Sequence, residues 1–215
     1  MKNLLKRRPY IDTMAKGIRD VLKSIWGRYR LKRQLKNRAP IKIIVGAAGY
    51  GQPGWIPTDV QYLNLLNNEH WKRFFNYCSI DAIVAEHVWE HLSLADGIEA
   101  AKNCYAYLRP GAFLRIAVPD GYNPDKKYID YVNVGGSGPG ADDHKMLYTY
   151  ETLEKLLKSC GFTTSLLEYW DDSGNFHFKQ WDVSEGKIHR SKRFDRRNQN
   201  GQLKYTSLIV DAHKY

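Results

Sequence analysis

Short apolar segments rich in β-branched residues alternate with amphipathic segments along residues 41–215, and this alternation restricts the possible folds more than any other feature. Strands that alternate with helices form a parallel sheet that is covered by helices on both faces. The sequence therefore predicts one doubly wound α/β domain with a mostly parallel sheet. Its strands are expected at residues 41–45, 55–59, 79–85, 112–118, 162–170 and 205–210.

Helices are predicted between several of these strands. A short helix is expected to open at Asn67, with Trp71, Phe74 and Phe75 facing inward, and longer helices are expected at residues 94–108 and 149–160. Their apolar residues recur at the spacing of one helical face, which is the pattern of a helix packed on a sheet.

Two further segments of the domain are predicted to be irregular. Residues 121–143 are rich in glycine, proline, asparagine and aspartate, and loops longer than about 12–15 residues are uncommon unless they are functional. Residues 171–204 are polar and aromatic, and we expect a hairpin excursion there.

The first 40 residues differ from the rest in charge. They hold 13 of the 33 lysines and arginines but only two acids, so this arm carries a net charge of +11 and residues 41–215 carry −1. Residues 10–36 have the spacing of an amphipathic helix with a basic polar face. The sequence leaves three uses open: a helix packed on the domain, a helix at a membrane surface, or an arm that binds nucleic acid.

The cysteines and the apolar runs indicate a cytoplasmic chain. Cys78, Cys104 and Cys160 are far apart and odd in number, which fits neither a disulfide framework nor a CxxC metal site. No apolar run approaches the roughly 18–20 residues that span a bilayer, and no secretory signal is expected. We expect a cytoplasmic protein with a possible peripheral contact at the inner membrane surface through residues 10–36.

A glycine-rich turn follows the first predicted strand. Gly46 and Gly49 allow the backbone to turn tightly and to approach a ligand closely. Asp59, at the end of the second predicted strand, is suited to bind the ribose hydroxyls of a nucleoside. Ligands of such sheets bind beyond the carboxyl ends of the strands, so we expect the turn, Asp59, residues 85–87, Asp120 and the 121–143 loop to converge on one crevice.

Two segments give these features a more specific interpretation. SIDAIVAEHVWEHL at residues 79–92 and LRPGAFLRIAVPD at residues 108–120, together with the glycine-rich turn, resemble the class I S-adenosylmethionine (SAM)-dependent methyltransferases. The resemblance is closest to predicted methyltransferases often associated with polysaccharide biosynthesis, and it covers residues 41–170 and the last strand. It implies a Rossmann-like fold, SAM as the cofactor, and a small-molecule or glycan-type acceptor.

The resemblance also implies positions for the cofactor. The methionine part would lie against Gly46, Ala47, Ala48 and Gly49, and the ribose on Asp59. The adenine would lie near Leu65 and Asn67. Ala85 and Glu86 would line the side of the methyl donor.

The chain departs from the family pattern at two places. Ile44 stands where the family usually has an acid that contacts the cofactor's amino group. The interval from Gly49 to Asp59 is too short for a helix, because a parallel crossover normally needs about a dozen residues or more. We therefore expect a fold that lacks the first helix, a pocket that is more open on that side, and an N-terminal helix that covers the exposed face instead.

Two histidines are candidate general bases. His87 and His144 are suited to take a proton from an acceptor hydroxyl, because neutral imidazole is present near pH 7. Asp143 is a candidate to orient His144. The simpler alternative is that His144 packs its loop against the sheet.

Residues 87–91 also spell H-x-x-E-H, the inverted zinc-protease motif. This interpretation is disfavoured, because the motif directly follows a strand and the sequence shows no third ligand. We predict no metal.

Two other functions remain open. The missing acid at Ile44 allows a non-catalytic nucleoside-binding module of the same fold. A nucleic acid partner is disfavoured, because residues 41–215 carry almost no net charge, although the basic residues between 190 and 197 could receive a phosphate-bearing acceptor.

Overall fold

The structure, a computed structural model, describes residues 8–36, 39–198 and 200–215. Within these residues it has five α-helices and seven strands. The helices are α1 (Arg8–Leu35), α2 (Asn68–Lys72), α3 (Leu94–Tyr107), α4 (Lys126–Val132) and α5 (Tyr150–Ser159). The strands are β1 (Lys42–Val45), β2 (Ile56–Pro57), β3 (Ile80–Glu86), β4 (Leu108–Pro119), β5 (Thr163–Trp170), β6 (Phe176–Phe178) and β7 (Ser207–His213).

All seven strands form one sheet in the order β2-β1-β3-β4-β7-β5-β6. The pairs β1–β2, β1–β3 and β3–β4 are parallel, and the pairs that involve β5, β6 and β7 are antiparallel. The predicted α/β sheet is confirmed, and β6 forms a short hairpin with β5 at the start of the segment 171–204, where we expected a hairpin excursion. The sheet is mixed rather than mostly parallel, because three of its six strand pairs run antiparallel.

The predicted loop at residues 121–143 contains a helix, so that prediction was too coarse. Asp125 begins α4, because its side chain accepts a hydrogen bond from the backbone N–H of Lys127. Tyr128 and Val132 lie four residues apart on the buried face of α4. Glycines and prolines on either side make this short helical spacing of apolar residues difficult to recognise in the sequence.

The connection between β1 and β2 has no helix, as predicted. It is held at the edge of the sheet by Thr58, whose N–H donates to the carbonyl of Ile44 (2.7 Å) and whose carbonyl accepts from the N–H of Ala47 (2.9 Å). The turn after β1 and the end of β2 are therefore fixed against each other.

The two faces of the sheet are covered differently, which the sequence did not predict. One face packs on α2, α3 and α5 through a large apolar cluster. The other face, around Ile44 and Val84, is covered by the irregular segment that carries Trp181 and Ile188. The prediction of helices on both faces was therefore wrong.

The N-terminal helix does not replace the missing one. Right-handed crossovers that run in opposite directions along a sheet lie on opposite faces, so a helix between β1 and β2 would face away from α3. Leu31 of α1 is buried in the same cluster as Ala100 of α3. The hypothesis that α1 covers the exposed face is wrong, since Trp181 and Ile188 occupy it.

α1 itself confirms the predicted helix at residues 10–36, but its packing face is unexpected. It contacts the domain through Ser24 and Leu31, which are buried, and through Gly27, whose missing side chain makes room for the ring of Tyr62. Among the described residues, no helix is long and apolar enough to cross a membrane.

Candidate active site

A cavity of about 700 Å³ opens at the carboxyl ends of β1 and β3. Its walls come from the turn after β1, from the end of β3, from the segment around α4, and from residues 189–205. The principal lining residues are Gly46, Ala47, Ala48, Tyr50, Glu86, His87, Glu90, His91, Tyr131, Val132, His144, His189, Arg190, Arg197 and Tyr205.

The turn after β1 has a backbone that favours glycine. Gly46 and Gly49 have φ angles of 61° and 90°, and Ala48 has a φ of 46°. A side chain at Gly46 would lie 2.6 Å from a methyl carbon of Val88. The turn therefore lies directly against the segment after β3, and its backbone forms a wall of the cavity.

The predicted cofactor residues divide into two groups. Gly46, Ala47, Ala48 and Glu86 line the cavity. Ala85 is buried in β3, and Gly49 lies in the turn beyond the lining residues. The structure thus places most of the predicted methionine-binding turn at the cavity wall, whereas Ala85 and Gly49 do not line the cavity.

The predicted nucleoside residues Asp59, Leu65 and Asn67 are not among the residues that line the cavity. Asp59 follows Thr58, which is hydrogen-bonded to the turn, and its carboxylate accepts from the N–H of Val60. Asn67 caps α2, because its side chain accepts from the N–H groups of Glu69 and His70. The carbonyl of Leu65 accepts from the indole of Trp71 and the amide of Asn103.

Glu86 organises the wall that residues 189 and 190 form. One carboxylate oxygen accepts from the backbone N–H of His189 at 3.0 Å, and the other accepts from that of Arg190 at 2.8 Å. An acid at the end of β3 therefore fixes a segment more than 100 residues further along the chain.

His87 and Glu90, which follow β3, lie next to each other in the cavity. Nε2 of His87 is 3.1 Å from the hydroxyl of Ser207, whose own proton is donated to the carbonyl of Arg190. Oε1 of Glu90 lies 2.8 Å from Nδ1 of His87, but the contact lacks hydrogen-bond geometry, and neither carboxylate oxygen has a hydrogen-bond partner in the described part of the chain. Burial raises the pKa of Glu90, but the adjacent His87 outweighs this effect, so the pKa lies below its ordinary value.

His144 faces the same cavity from a different loop. Its Nδ1 lies 2.7 Å from the carbonyl of Val132 and therefore carries the proton of that hydrogen bond. Nε2 keeps its lone pair, as the basic nitrogen of the ring. The orienting group is thus Val132 rather than the predicted Asp143, whose exposed carboxylate lies near Lys145 and His91.

The H-x-x-E-H segment does not form the helix that the zinc-protease motif needs. Trp89–His91 is a single 3-10 turn, and His87 has a left-handed backbone with a φ of 54°. Instead, Glu90 and His91 meet His144 from the distant loop, with one ligand atom from each within 4.8 Å of the others.

Sequence reasoning missed one wall of the cavity. Residues 189–205 contribute His189, Arg190, Arg197 and Tyr205, and the guanidinium of Arg197 lies 3.5 Å over the ring of Tyr205. The basic patch at residues 190–197 was the available signal, but no periodic pattern connected it to the sheet.

The cavity is also closed on the side that we predicted to be open. The side-chain amide of Gln52 donates to the carbonyl of Lys187 and accepts from its N–H. The rings of Tyr50 and His189 lie 5.2 Å apart across the same junction. Residues 187–189 therefore occupy the place of the missing helix, and the predicted opening is wrong.

Asp120 lies behind the site rather than in it. Its buried carboxylate accepts from the backbone N–H of Trp170 (2.7 Å) and from that of Tyr122 (3.1 Å). Burial raises its pKa to about 6, although these hydrogen bonds oppose the shift. Asp120 thus ties β5 to the loop after β4.

This pKa predicts a pH-dependent stability. The folded state holds the proton of Asp120 more tightly than the unfolded state does, so the contribution of this group to stability falls as pH rises from about 4 to about 6 and then levels off. The loss is on the order of 1–3 kcal/mol. We expect Asp120→Asn to lack this decline when urea unfolding is measured from pH 4 to pH 7. Identical pH profiles for the variant and the wild type would contradict the assignment.

Comparisons with known proteins agree with this architecture. No protein-family model matches the chain, and no curated protein matches it. Among solved structures, it is similar to a SAM-dependent methyltransferase from Thermotoga maritima, with a TM-score of 0.50 and 11% identity over 94% of this chain and 96% of the other. It is also similar to a SAM-dependent methyltransferase from Archaeoglobus fulgidus, with a TM-score of 0.45 and 14% identity over 86% of this chain and 90% of the other.

The chain has the fold of the SAM-dependent methyltransferases. At this identity the likeness concerns the fold, while the activity must be argued from the site. The Rossmann-like fold that the resemblance implied is confirmed, and the connection between β1 and β2 lacks the usual first helix.

Proposed function

We propose that this protein is a SAM-dependent methyltransferase that acts on a small-molecule or glycan-type acceptor. The observation that carries the proposal is the cavity at the carboxyl ends of β1 and β3, where the backbone of Gly46–Ala48 forms one wall and a cluster of histidines forms another. Ligands of open α/β sheets bind at this edge. The glycan class follows the resemblance to methyltransferases associated with polysaccharide biosynthesis.

In this proposal the cofactor lies along the edge of the sheet. Its methionine part rests on Gly46–Ala48, and its ribose is bound by Asp59, which the Thr58 hydrogen bonds hold beside the turn. Its adenine lies toward Leu65 and Asn67, where the backbone is fixed by α2. Glu86, at the end of β3, lies on the side of the methyl donor.

The acceptor lies on the histidine side of the cavity. SAM supplies an activated methyl group on a sulfonium. Transfer of this methyl group to an acceptor oxygen would require the hydroxyl proton to pass to a base on the histidine side of the cavity. Activation of this hydroxyl depends on His144, whose Nε2 lone pair is available. His87 lines the same cavity, and Asp143 lies near His91. Arg190 and Arg197 suit an acidic acceptor.

Calorimetry with SAM tests the cofactor site. We expect wild-type protein to bind SAM, and Asp59→Ala to bind it about 10- to 100-fold more weakly, because two hydrogen bonds to a charged group are lost. Asp142→Ala is the matched control, since Asp142 is exposed and lies outside the cavity lining. No heat of binding at millimolar SAM would overturn the proposal. Binding without turnover on any acceptor would favour the non-catalytic nucleoside-binding module.

We also propose a peripheral contact between α1 and an anionic membrane surface on the cytoplasmic side. Six large apolar side chains on the face of α1 away from the domain are 51–64% exposed: Ile18, Val21, Leu22, Ile25, Trp26 and Tyr29. Basic residues flank this stripe on both sides at helical spacing: Arg19, Lys23 and Arg30 on one side, and Arg28 and Lys32 on the other. An apolar face between basic edges is the pattern of a helix that lies in a bilayer interface.

A basic groove beside the stripe favours a partner surface that carries phosphate groups. Arg28, Lys32 and Arg73 line it together with Ile25 and Tyr29. The Nε of Arg28 is buried there without a hydrogen-bond partner in the described part of the chain, so an anionic headgroup would satisfy it.

Vesicle sedimentation tests this contact. We expect binding to phosphatidylcholine vesicles that contain phosphatidylglycerol, and Ile25→Glu to weaken it at least about tenfold, because a carboxylate would have to enter the interface. Val134→Glu, at another exposed apolar residue, is the control. Equal binding by both variants would contradict the proposal, as would a stable dimer in solution that Ile25→Glu disrupts.

A further inference from the structure

Three potential metal ligands meet at the floor of the cavity. One ligand atom each from Glu90, His91 and His144 lies within 4.8 Å of the others. The loop that carries His144 is held there by the backbone, because the N–H groups of Lys145 and Met146 both donate to the carbonyl of Glu90, at 2.7 and 3.2 Å. The cluster is therefore built by the fold and not by chance contacts of long side chains.

The carboxylate of Glu90 is the second observation that points to a ligand. Its side chain is fully buried, and neither oxygen has a hydrogen-bond partner among the described residues. His87, 2.8 Å from Oε1, compensates this buried carboxylate only in part, and a bound cation would reduce the remaining cost of burying the charge. His87 lies on one side of the carboxylate, and the other side is turned toward His91 and His144.

The imidazole of His144 is oriented by a hydrogen bond, as a metal ligand usually is, and that of His91 lies near a carboxylate. A ligating histidine commonly donates its second N–H to a backbone carbonyl or a carboxylate, which fixes the ring and its tautomer. Nδ1 of His144 lies 2.7 Å from the carbonyl of Val132, and Nδ1 of His91 lies 3.5 Å from the carboxylate of Asp143. In both rings Nε2 is left for a ligand.

We propose that Glu90, His91 and His144 bind a divalent first-row transition metal ion such as Zn²⁺, with an open coordination position toward the cavity. Two imidazoles and one carboxylate are a common ligand set for such ions, and three protein ligands leave room for a substrate oxygen. The three ligand atoms lie within 4.8 Å of one another, so the side chains would have to rotate to bind one ion.

The inference deepens the proposed function, on which its catalytic meaning rests. An acceptor hydroxyl bound at the open position would lose its proton more readily, since a metal ion lowers the pKa of a bound oxygen. His144 would then act on the acceptor as a ligand of the ion. Binding of the metal itself does not depend on methyl transfer, so the two proposals can fail separately.

Cobalt binding tests the site. The full chain is stripped with a chelator and titrated with Co²⁺, and the visible absorbance of the protein-bound ion is recorded. We expect one ion per chain, and binding at least about 10-fold weaker in His91→Ala and His144→Ala, because each removes a ligand. His177→Ala is the matched control, because its ring contacts Asp171 and Tyr169 away from the cavity.

A wild-type chain that gives no bound-cobalt absorbance, or binding that is equal in His144→Ala, Glu90→Gln and wild type, would overturn the inference. Calorimetry with SAM on the metal-free protein separates the two proposals. Cobalt binding without SAM binding supports the metal site and removes the proposed function. SAM binding without cobalt binding supports the proposed function and removes the metal site.

Discussion

Replacing His144 with alanine is expected to slow methyl transfer by about two to four orders of magnitude, the range over which a positioned proton-transfer group usually contributes. The affinity for SAM should change little, because His144 belongs to a different segment of the cavity lining from the turn at Gly46. The physical reason is the lone pair on Nε2, which the hydrogen bond from Nδ1 to Val132 keeps directed away from the loop. Activity is measured as S-adenosylhomocysteine released in the presence of an acceptor found by screening sugar nucleotides.

The control for this prediction is His177→Ala, since His177 lies outside the cavity lining and pairs with Asp171. It should retain the rate of the wild type. If His144→Ala lost less than about tenfold while His87→Ala lost the full amount, activation of the acceptor would belong to His87. The role given to the Val132 hydrogen bond would then be wrong.

Replacing Arg115 with methionine is expected to cost about 3–5 kcal/mol of unfolding free energy, the usual effect of removing one partner of a buried ion pair. Arg115 is fully buried in β4 and makes two hydrogen bonds of 2.7 Å to the carboxylate of Asp211 in β7. It also donates to the carbonyl of Gly186 at 2.8 Å, and its guanidinium lies 4.9 Å from the ring centre of Trp181. The variant would leave Asp211 unpaired and detach the segment that covers the sheet.

Arg109→Met provides the comparison, because Arg109 pairs with Asp81 at 2.6 Å but is half exposed. Exposed pairs contribute about 0–1 kcal/mol, so this variant should unfold close to the wild type in urea. The double variant Arg115→Met with Asp211→Leu should recover part of the loss, since it removes the unpaired charge. Equal losses from Arg115→Met and Arg109→Met would show that burial does not determine the strength of the pair.

The parts of the fold that could be predicted are those with a local signal. β1, β3 and α3 follow from apolar residues at the spacing of a strand or a helix. The absence of a helix between β1 and β2 follows from the short interval between Gly49 and Asp59. α1 shows that a local signal can predict a helix without predicting which face of it packs on the domain. Its apolar stripe predicted a helix, but the domain contact uses Gly27 and Leu31 on another face, and the stripe remains exposed.

The site could be predicted only in part, because much of it depends on contacts between distant residues. The turn at Gly46 and the histidines at 87 and 144 were evident from the sequence and its resemblance. The meeting of Glu90 with His144 depends on how one loop hydrogen-bonds to the backbone of another. The wall at residues 189–205 depends on Glu86 binding two backbone N–H groups, and carboxylates of this kind leave no periodic pattern in a sequence.

The segment of residues 181–205 has two structural roles. Trp181 and Ile188 cover the sheet, and residues after them line the cavity. Under the proposed function, acceptor choice and thermal resistance would therefore depend on the same short stretch of chain. A family of variants selected for a new acceptor should pass through unstable intermediates unless compensating changes arise elsewhere. In laboratory evolution, libraries confined to this stretch should yield functional clones more often when they start from a stabilised parent.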